Sequence, residues 1–249
     1  KGHGGRLIRA GALKGVQVLK TEAYIQWTGL IDQTALHLVA NDTGGELDPH
    51  GADLLGNPVG GLVYSTGLPS GNNSTLQQVV EWNNFLGQSV FCLKLCDPLY
   101  LNRTGTSLCE NRKDRMGCSY NMPASYREGE FSVCDSELQD VVGVYTGVDG
   151  KVSTYSQPPE GTVVDPPYTP RVPKSSNCKT YASTDLFGTV TSSTSASATG
   201  HMSAGGATAS TPSSSSGSGS ALGIGSGSTV LAASSAFFAL IAGAVAVGA

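Results

Sequence analysis

Glu46, Asp48, His50 and Asp53 place four ionisable side chains within eight residues, and their types and spacing could do chemistry. Paired carboxylates let glycosidases protonate a leaving group and attack a sugar carbon. Three carboxylates turned inward together would offer a hard cation the six oxygens it asks for. The same residue types also shape backbone. An Asp before proline closes an Asx-turn by accepting a backbone N–H, and a histidine between carboxylates pairs with one of them. A ligand site and a self-supporting loop are therefore both open for this candidate polar loop site. The expectation is that the four groups mainly hold the loop's own shape.

The surrounding stretch, Gly44-Gly45 through Gly60-Gly61, carries the Asp48-Pro49 and Asn57-Pro58 steps among its glycines. Glycine admits positive φ, proline fixes its own φ, and the residue before proline is driven towards extended backbone. The stretch reads as a shaped loop running into a strand at 62–65. Upstream, Arg6-Leu7-Ile8 reads as a short first strand. The runs 16–19 and 24–28 read as a hairpin about a polar link, and 36–39 as a third strand. Downstream, 75–86 reads as a helix: Thr75 with Gln78 matches a capping box. Leu76, Val79, Val80 and Leu86 form a stripe widened by Trp82 and Phe85, and Gly87 makes a stop.

Residues 90–96 alternate strictly, with Phe91, Leu93 and Leu95 on one face and Cys92, Lys94 and Cys96 on the other. Residues 108–116 suggest a short charged helix, and 131–134 and 141–145 read as late strands. The fold class expected is mainly β, a sandwich or jelly-roll-like pair of sheets with one packed helix and disulfide-tied loops.

Cys92, Cys96, Cys109, Cys118, Cys134 and Cys178 are an even set, which fits an oxidising compartment and three bridges of open connectivity. Along a strand, Cys92 and Cys96 lie roughly 13 Å apart, too far to bridge each other, so each must reach elsewhere. Paired zinc-ligand spacing is absent apart from that one pair, and no metal or cofactor is expected. Asn41, Asn72, Asn73 and Asn102 each head an Asn-x-Ser/Thr sequon.

All Asp, Glu, Lys and Arg residues lie at or before Asp185, as do both tryptophans and all nine tyrosines. The chain therefore divides into a globular domain over 1–180, a stalk over 181–228 rich in Ser, Thr, Gly and Ala, and an apolar tail over 229–249. The stalk cannot bury enough apolar surface to offset its chain entropy, and is expected to be disordered and O-glycosylated. Ser216, Gly217 and Ser218, a polar spacer and the terminal apolar run match a GPI-attachment signal. A membrane span and a tail without function are the alternatives. Lys1 is expected to begin a fragment or processed chain whose leader is out of view. A net charge of −4 without a basic cluster argues against nucleic acid as a partner.

The block Gly44–Asp53, with Gly56–Val63, Gly117–Ala124 and Gly143-Val144-Tyr145, resembles the fungal macrophage-activating glycoproteins. The likeness covers about residues 4–180 in matching order, and the blocks are long enough to be specific. It implies a secreted or wall-associated fungal glycoprotein, and it supplies no reaction, cofactor or catalytic residue. The function expected is a non-enzymatic surface or cell-wall glycoprotein, a monomer attached to the membrane through its C-terminal anchor. Two other classes compete. One is a carbohydrate-binding module using Tyr24, Trp27 or Tyr64 on a solvent face. The other is a polysaccharide-active enzyme using Glu46, Asp48 or Asp53. No G-x-S-x-G nucleophile elbow occurs in the domain.

Overall fold

A computed structural model describes residues 8–50, 55–159 and 165–187. The strands in the first half of the chain are β1 (Leu13–Lys20), β2 (Tyr24–Ile31), β3 (Gly45–Leu47), β4 (Val63–Ser65), β5 (Gln77–Val79), β6 (Trp82–Gly87) and β7 (Val90–Cys96). They are followed by β8 (Phe131–Ser136), β9 (Val144–Thr146), β10 (Val152–Thr154) and β11 (Ser175–Thr180). Two short helices, α1 (Pro98–Thr104) and α2 (Gly117–Asn121), lie between β7 and β8, and α3 (Ser183–Phe187) follows β11. Seven strands form one mixed sheet in the order β11-β8-β1-β2-β7-β6-β3, with β1 and β8 parallel. The mainly β class is what the structure shows.

The hairpin β1–β2 closes on Thr21, whose Oγ1 accepts from the Ala23 and Tyr24 amides. Its register places Val18 opposite Trp27, and Trp27 lies opposite Leu93 on β7. Val16, Val18, Ile25, Trp27, Leu93, Leu95 and Phe131 thereby bury one face of the sheet. The small ribbon β4–β5 packs on that face through Val63 and Val79, with Leu68 beside them.

The opposite face carries Tyr24, Gln26, Cys92, Lys94 and Cys96, and disulfides tie the 97–122 segment over it. Cys96 bridges Cys109 and Cys92 bridges Cys118. Cys134–Cys178 ties β8 to the edge strand β11. A cysteine on alternate positions of a buried strand can only reach chain that crosses above it.

Several expected elements differ. The helix over 75–86 is β5, a turn and β6. Leu76 and Val80, members of the supposed stripe, are exposed, whereas Trp82 and Phe85 are buried from opposite faces of β6. Pairing with β7 supplies what a helix would otherwise offer the backbone. The capping box gives way to Asn72, whose Oδ1 accepts from the Ser74 and Thr75 amides. The strand expected at 36–39 is a 3-10 turn, Gln33–Leu36, capped by Asp32 and ended by His37 in the left-handed region. The helix expected at 108–116 reduces to a 3-10 turn at Asp114–Met116, because Leu108 and Cys109 are drawn down onto the sheet. The strand at 141–145 begins later, at Val144. Ile8 lies outside any strand, and Arg6 and Leu7 lie outside the described residues.

Tyr24 and Trp27 are core residues and Tyr64 is half-buried, so these three form no solvent-facing aromatic platform. The stalk, the tail and Ser216, Gly217 and Ser218 lie outside the described residues. Among the described residues no helix is long and apolar enough to cross a membrane.

Candidate functional site

The polar loop begins where β3 meets the edge of the sheet. Gly44 has φ +74°, and a Cβ there would lie 1.6 Å from the Leu86 carbonyl oxygen. At Gly87 the same atom would lie 2.1 Å from the Thr43 carbonyl oxygen, so both strand ends need glycine to approach. Beyond β3, Asp48 and Asn57 exchange both backbone hydrogen bonds, at 3.0 and 2.8 Å. Asn57 Nδ2 donates to the Glu46 carbonyl at 2.6 Å. Asp48 Oδ1 accepts from the His50 amide at 2.7 Å, closing an Asx-turn across Pro49. His50 Nε2 sits 3.2 Å from Glu81 Oε2, a carboxylate outside the loop. Asp53 lies outside the described residues.

Glu46 and His50 face different cavities and do not converge. His50 opens with Glu81 and Arg112 on a cavity of about 510 Å³. Glu46 borders a separate groove of about 980 Å³ with Asp114, Arg115 and Tyr126. Glu46 is 6% exposed, and neither of its carboxylate oxygens has a hydrogen-bond partner among the described residues. Burial, with the Asp48 and Asp114 charges adding to it, pushes its pKa up to about 9, and the Asn83 amide beside it offsets only part of this. The group is therefore a neutral acid at pH 7. Among the described residues no three His, Cys, Asp or Glu side chains are grouped to hold a metal ion.

Next to Glu46 on the same face lies a polar knot built on Lys94, directly opposite Asn83 in the β6–β7 register. Lys94 is fully buried. Its Nζ donates to the carbonyls of Leu108 and Asn121, each at 3.2 Å, and to Gln139 Oε1 at 2.6 Å. The Tyr24 ring centroid lies 4.9 Å from the same nitrogen. Burial holds the ammonium's pKa well below the usual lysine range. Asn83 Nδ2 donates to the Glu110 carbonyl at 2.9 Å, so both side chains grip the segment that the disulfides lay across the sheet. The N–H donors of Lys94 and Asn83 go to the protein's own carbonyls. Residue-type reasoning passes over Lys94. The signal was its place between Cys92 and Cys96 in an alternating strand, since a lysine sharing a face with two bridged cysteines is covered when they are.

A third feature is a cleft of about 790 Å³ between the end of the β1–β2 hairpin, the 66–73 loop and α1. Asp97 forms its floor: Oδ1 caps α1 at the Leu99 amide at 2.8 Å, and Oδ2 accepts from the Ser70 amide at 2.6 Å. Trp27 lines the inner wall with an indole N–H that has no partner among the described residues. Arg103 stacks over Tyr100 and meets Glu22 at 3.1 Å. Leu99 stands 61% exposed at the mouth. Asn73 lies on the rim, and Asn102 follows Leu99 by one turn of α1. All four sequon asparagines, Asn41, Asn72, Asn73 and Asn102, are exposed.

Over 195 residues the chain is 41% identical to appressorium protein ROW1 of Mycosarcoma maydis, a match covering 78% of this chain and 42% of that protein. Over 182 residues it is 40% identical to appressorium protein ROW2 of the same fungus, covering 73% of this chain and 57% of that one. The chain thus spans about half the length of the curated relatives it matches. No family model matches the chain. No solved structure matches it. Neither relative bears the macrophage-activating name; the two matches support the coarser likeness, to fungal appressorium proteins. Over roughly three quarters of its length, the chain is similar to these two fungal appressorium proteins.

Proposed function

We propose that this chain is a non-enzymatic glycoprotein of the fungal cell surface or cell wall, carried on its Ser/Thr-rich stalk and held to the membrane by a C-terminal lipid anchor. The observation that carries the reading is the exposure of all four sequon asparagines on a domain stapled by three disulfides. Disulfides of this kind persist in secreted and surface proteins, and N-glycans need surface positions. The similarity to appressorium proteins supports a fungal setting. The finer likeness to macrophage-activating glycoproteins belongs to the same reading. So do a monomeric state, the absence of a cofactor, and a nucleic acid-free surface.

The non-enzymatic part rests on divergence. Asp48 accepts from its own loop, His50 meets Glu81, and Glu46 is buried beside a separate groove. A second reading, binding of a neutral wall polysaccharide, is favoured by the cleft, where an aromatic ring and an apolar side chain stand beside charged groups.

The experiment is to incubate the purified full chain with isolated fungal cell wall and measure reducing ends and retained protein. The expected result is no sugar release above a heat-denatured control. Retention without release favours the second reading. Sugar release that Glu46→Gln abolishes would overturn the non-enzymatic assignment.

A further inference from the structure

Two sequons overlap at 72–75, one headed by Asn72 and ending at Ser74, the other headed by Asn73 and ending at Thr75. Their side chains are in different states. Asn72 Nδ2 donates to Thr75 Oγ1 at 2.8 Å. Its Oδ1 accepts from the Ser74 amide and hydroxyl, each at 3.0 Å, and from the Thr75 amide at 2.8 Å. Both ends of that carboxamide thus build the turn leading into β5. A sugar on Asn72 Nδ2 would replace the hydrogen facing Thr75 or crowd it. Asn73 has φ +57° and is exposed, and its side chain takes no part in the turn's hydrogen bonds. It is also the asparagine that borders the 790 Å³ cleft.

We propose that Asn73, and not Asn72, carries an N-glycan, and that the first sugars of this glycan lie in the cleft against Leu99, Tyr100 and Arg103. The inference rests on the glycoprotein reading above and adds to it a site and an occupant. In the covalent step, Asn73 Nδ2 attacks C1 of the sugar of a lipid-pyrophosphate-linked oligosaccharide. The Nδ2–C1 bond forms and the C1–O bond to the pyrophosphate breaks. The lipid pyrophosphate leaves with the bonding pair, and Nδ2 gives up one proton to the transferase.

The docking follows from what the cleft presents. A sugar ring has apolar C–H faces and a polar rim. The exposed Leu99 and the Tyr100 ring answer the faces; Arg103, Glu22 and Lys20 answer the hydroxyls. The volume lies within the range of about 300–1,000 Å³ that holds a small ligand. A tether at the rim makes entry intramolecular, so a weak contact suffices to keep the cleft filled.

The test uses the full chain secreted from a glycosylating yeast. Enzymatic deglycosylation in ¹⁸O-water marks each formerly glycosylated asparagine as labelled aspartate. The expected result is label at residue 73 and none at 72. Label at 72, or at Asn41 or Asn102 without 73, overturns this inference and leaves the glycoprotein reading standing. No label at any of the four overturns both.

Docking is read from release under native conditions. The glycan on Asn73 should leave about tenfold more slowly than the one on Asn41, as about 1.4 kcal/mol of contact implies. The two rates should become equal in Leu99→Ser and Tyr100→Ala, neither of which touches the sequon. Equal rates in the unsubstituted protein, or slow release that survives both substitutions, overturns the docking. Protection of the Asn102 glycan instead would make that sugar the occupant and also overturn it.

Discussion

Replacing Asp97 should show how firmly the cleft is built into the fold. Its carboxylate is 2% exposed and serves two amides from different segments, Leu99 at the start of α1 and Ser70 in the loop after β4. Its own amide donates to the Ala23 carbonyl, which fixes the residue to the end of the β1–β2 hairpin. Asp97→Ala removes an N-cap, a loss of about 1 kcal/mol. It also removes a charge-assisted bond worth about 1.5–3 kcal/mol. The expected total is about 2–4 kcal/mol, or a fall in Tm of about 5–12 °C for a domain of this size. Asp97→Asn keeps one acceptor oxygen and turns an N–H₂ towards the other amide, so it should fall between wild type and Asp97→Ala. Thermal unfolding with the disulfides intact measures the loss. Hydrogen exchange should show the Ser70 and Leu99 amides losing protection together. An Asp97→Ala protein within about 0.5 kcal/mol of wild type, with both amides still protected, would refute this account of the cleft.

Glu46 makes stability depend on pH. Its folded pKa of about 9 lies above the unfolded value, so the stability it contributes is fully present below about pH 4.5 and is lost as pH rises towards 9. Glu46→Gln, neutral throughout, should melt higher than wild type at pH 8 and lose that advantage at pH 4; a constant offset across the range would contradict the buried-acid reading. The Cys134–Cys178 bridge holds an exposed edge strand, and replacing both cysteines by serine should cost about 2–5 kcal/mol and open 175–187 to protease before the rest of the domain. His50→Ala should cost under about 1 kcal/mol, since its pair with Glu81 is half-buried and still reached by solvent, whereas Asp48→Ala should cost about 1 kcal/mol more by losing the Asx-turn. Neither Ca²⁺ nor Zn²⁺ should raise the melting point of wild type or of these variants, and a metal-dependent rise that either substitution abolishes would restore the ligand-site reading.

Strong local signals made some of the fold legible. The β1–β2 hairpin follows from two β-branched or aromatic runs about a Thr-led turn, and the two faces of β7 follow from strict alternation. The separation of Cys92 from Cys96 was readable for the same reason, although their partners were not, because Cys118 and Cys109 reach them through tertiary crossings. The 75–86 segment misled because Val79, Trp82 and Phe85 satisfy a helical stripe as well as a strand that turns over at 80–81. Only β7, a non-local partner, decides between them. In the polar loop, the Asp48 turn was legible from Asp-Pro. The partner of His50 was not, since Glu81 lies 31 residues away. The Lys94 knot joins carbonyls from three distant segments and has no local signature beyond its neighbouring cysteines.

Display at the cell surface is tested most directly on intact fungal cells producing the full chain, labelled with an antibody raised against the folded domain. The account predicts labelling without permeabilisation, lost after treatment with a phosphatidylinositol-specific phospholipase, with the released protein bearing N-glycans and no free thiol among its six cysteines. Labelling that appears only after permeabilisation, with thiols open to alkylation, would contradict it.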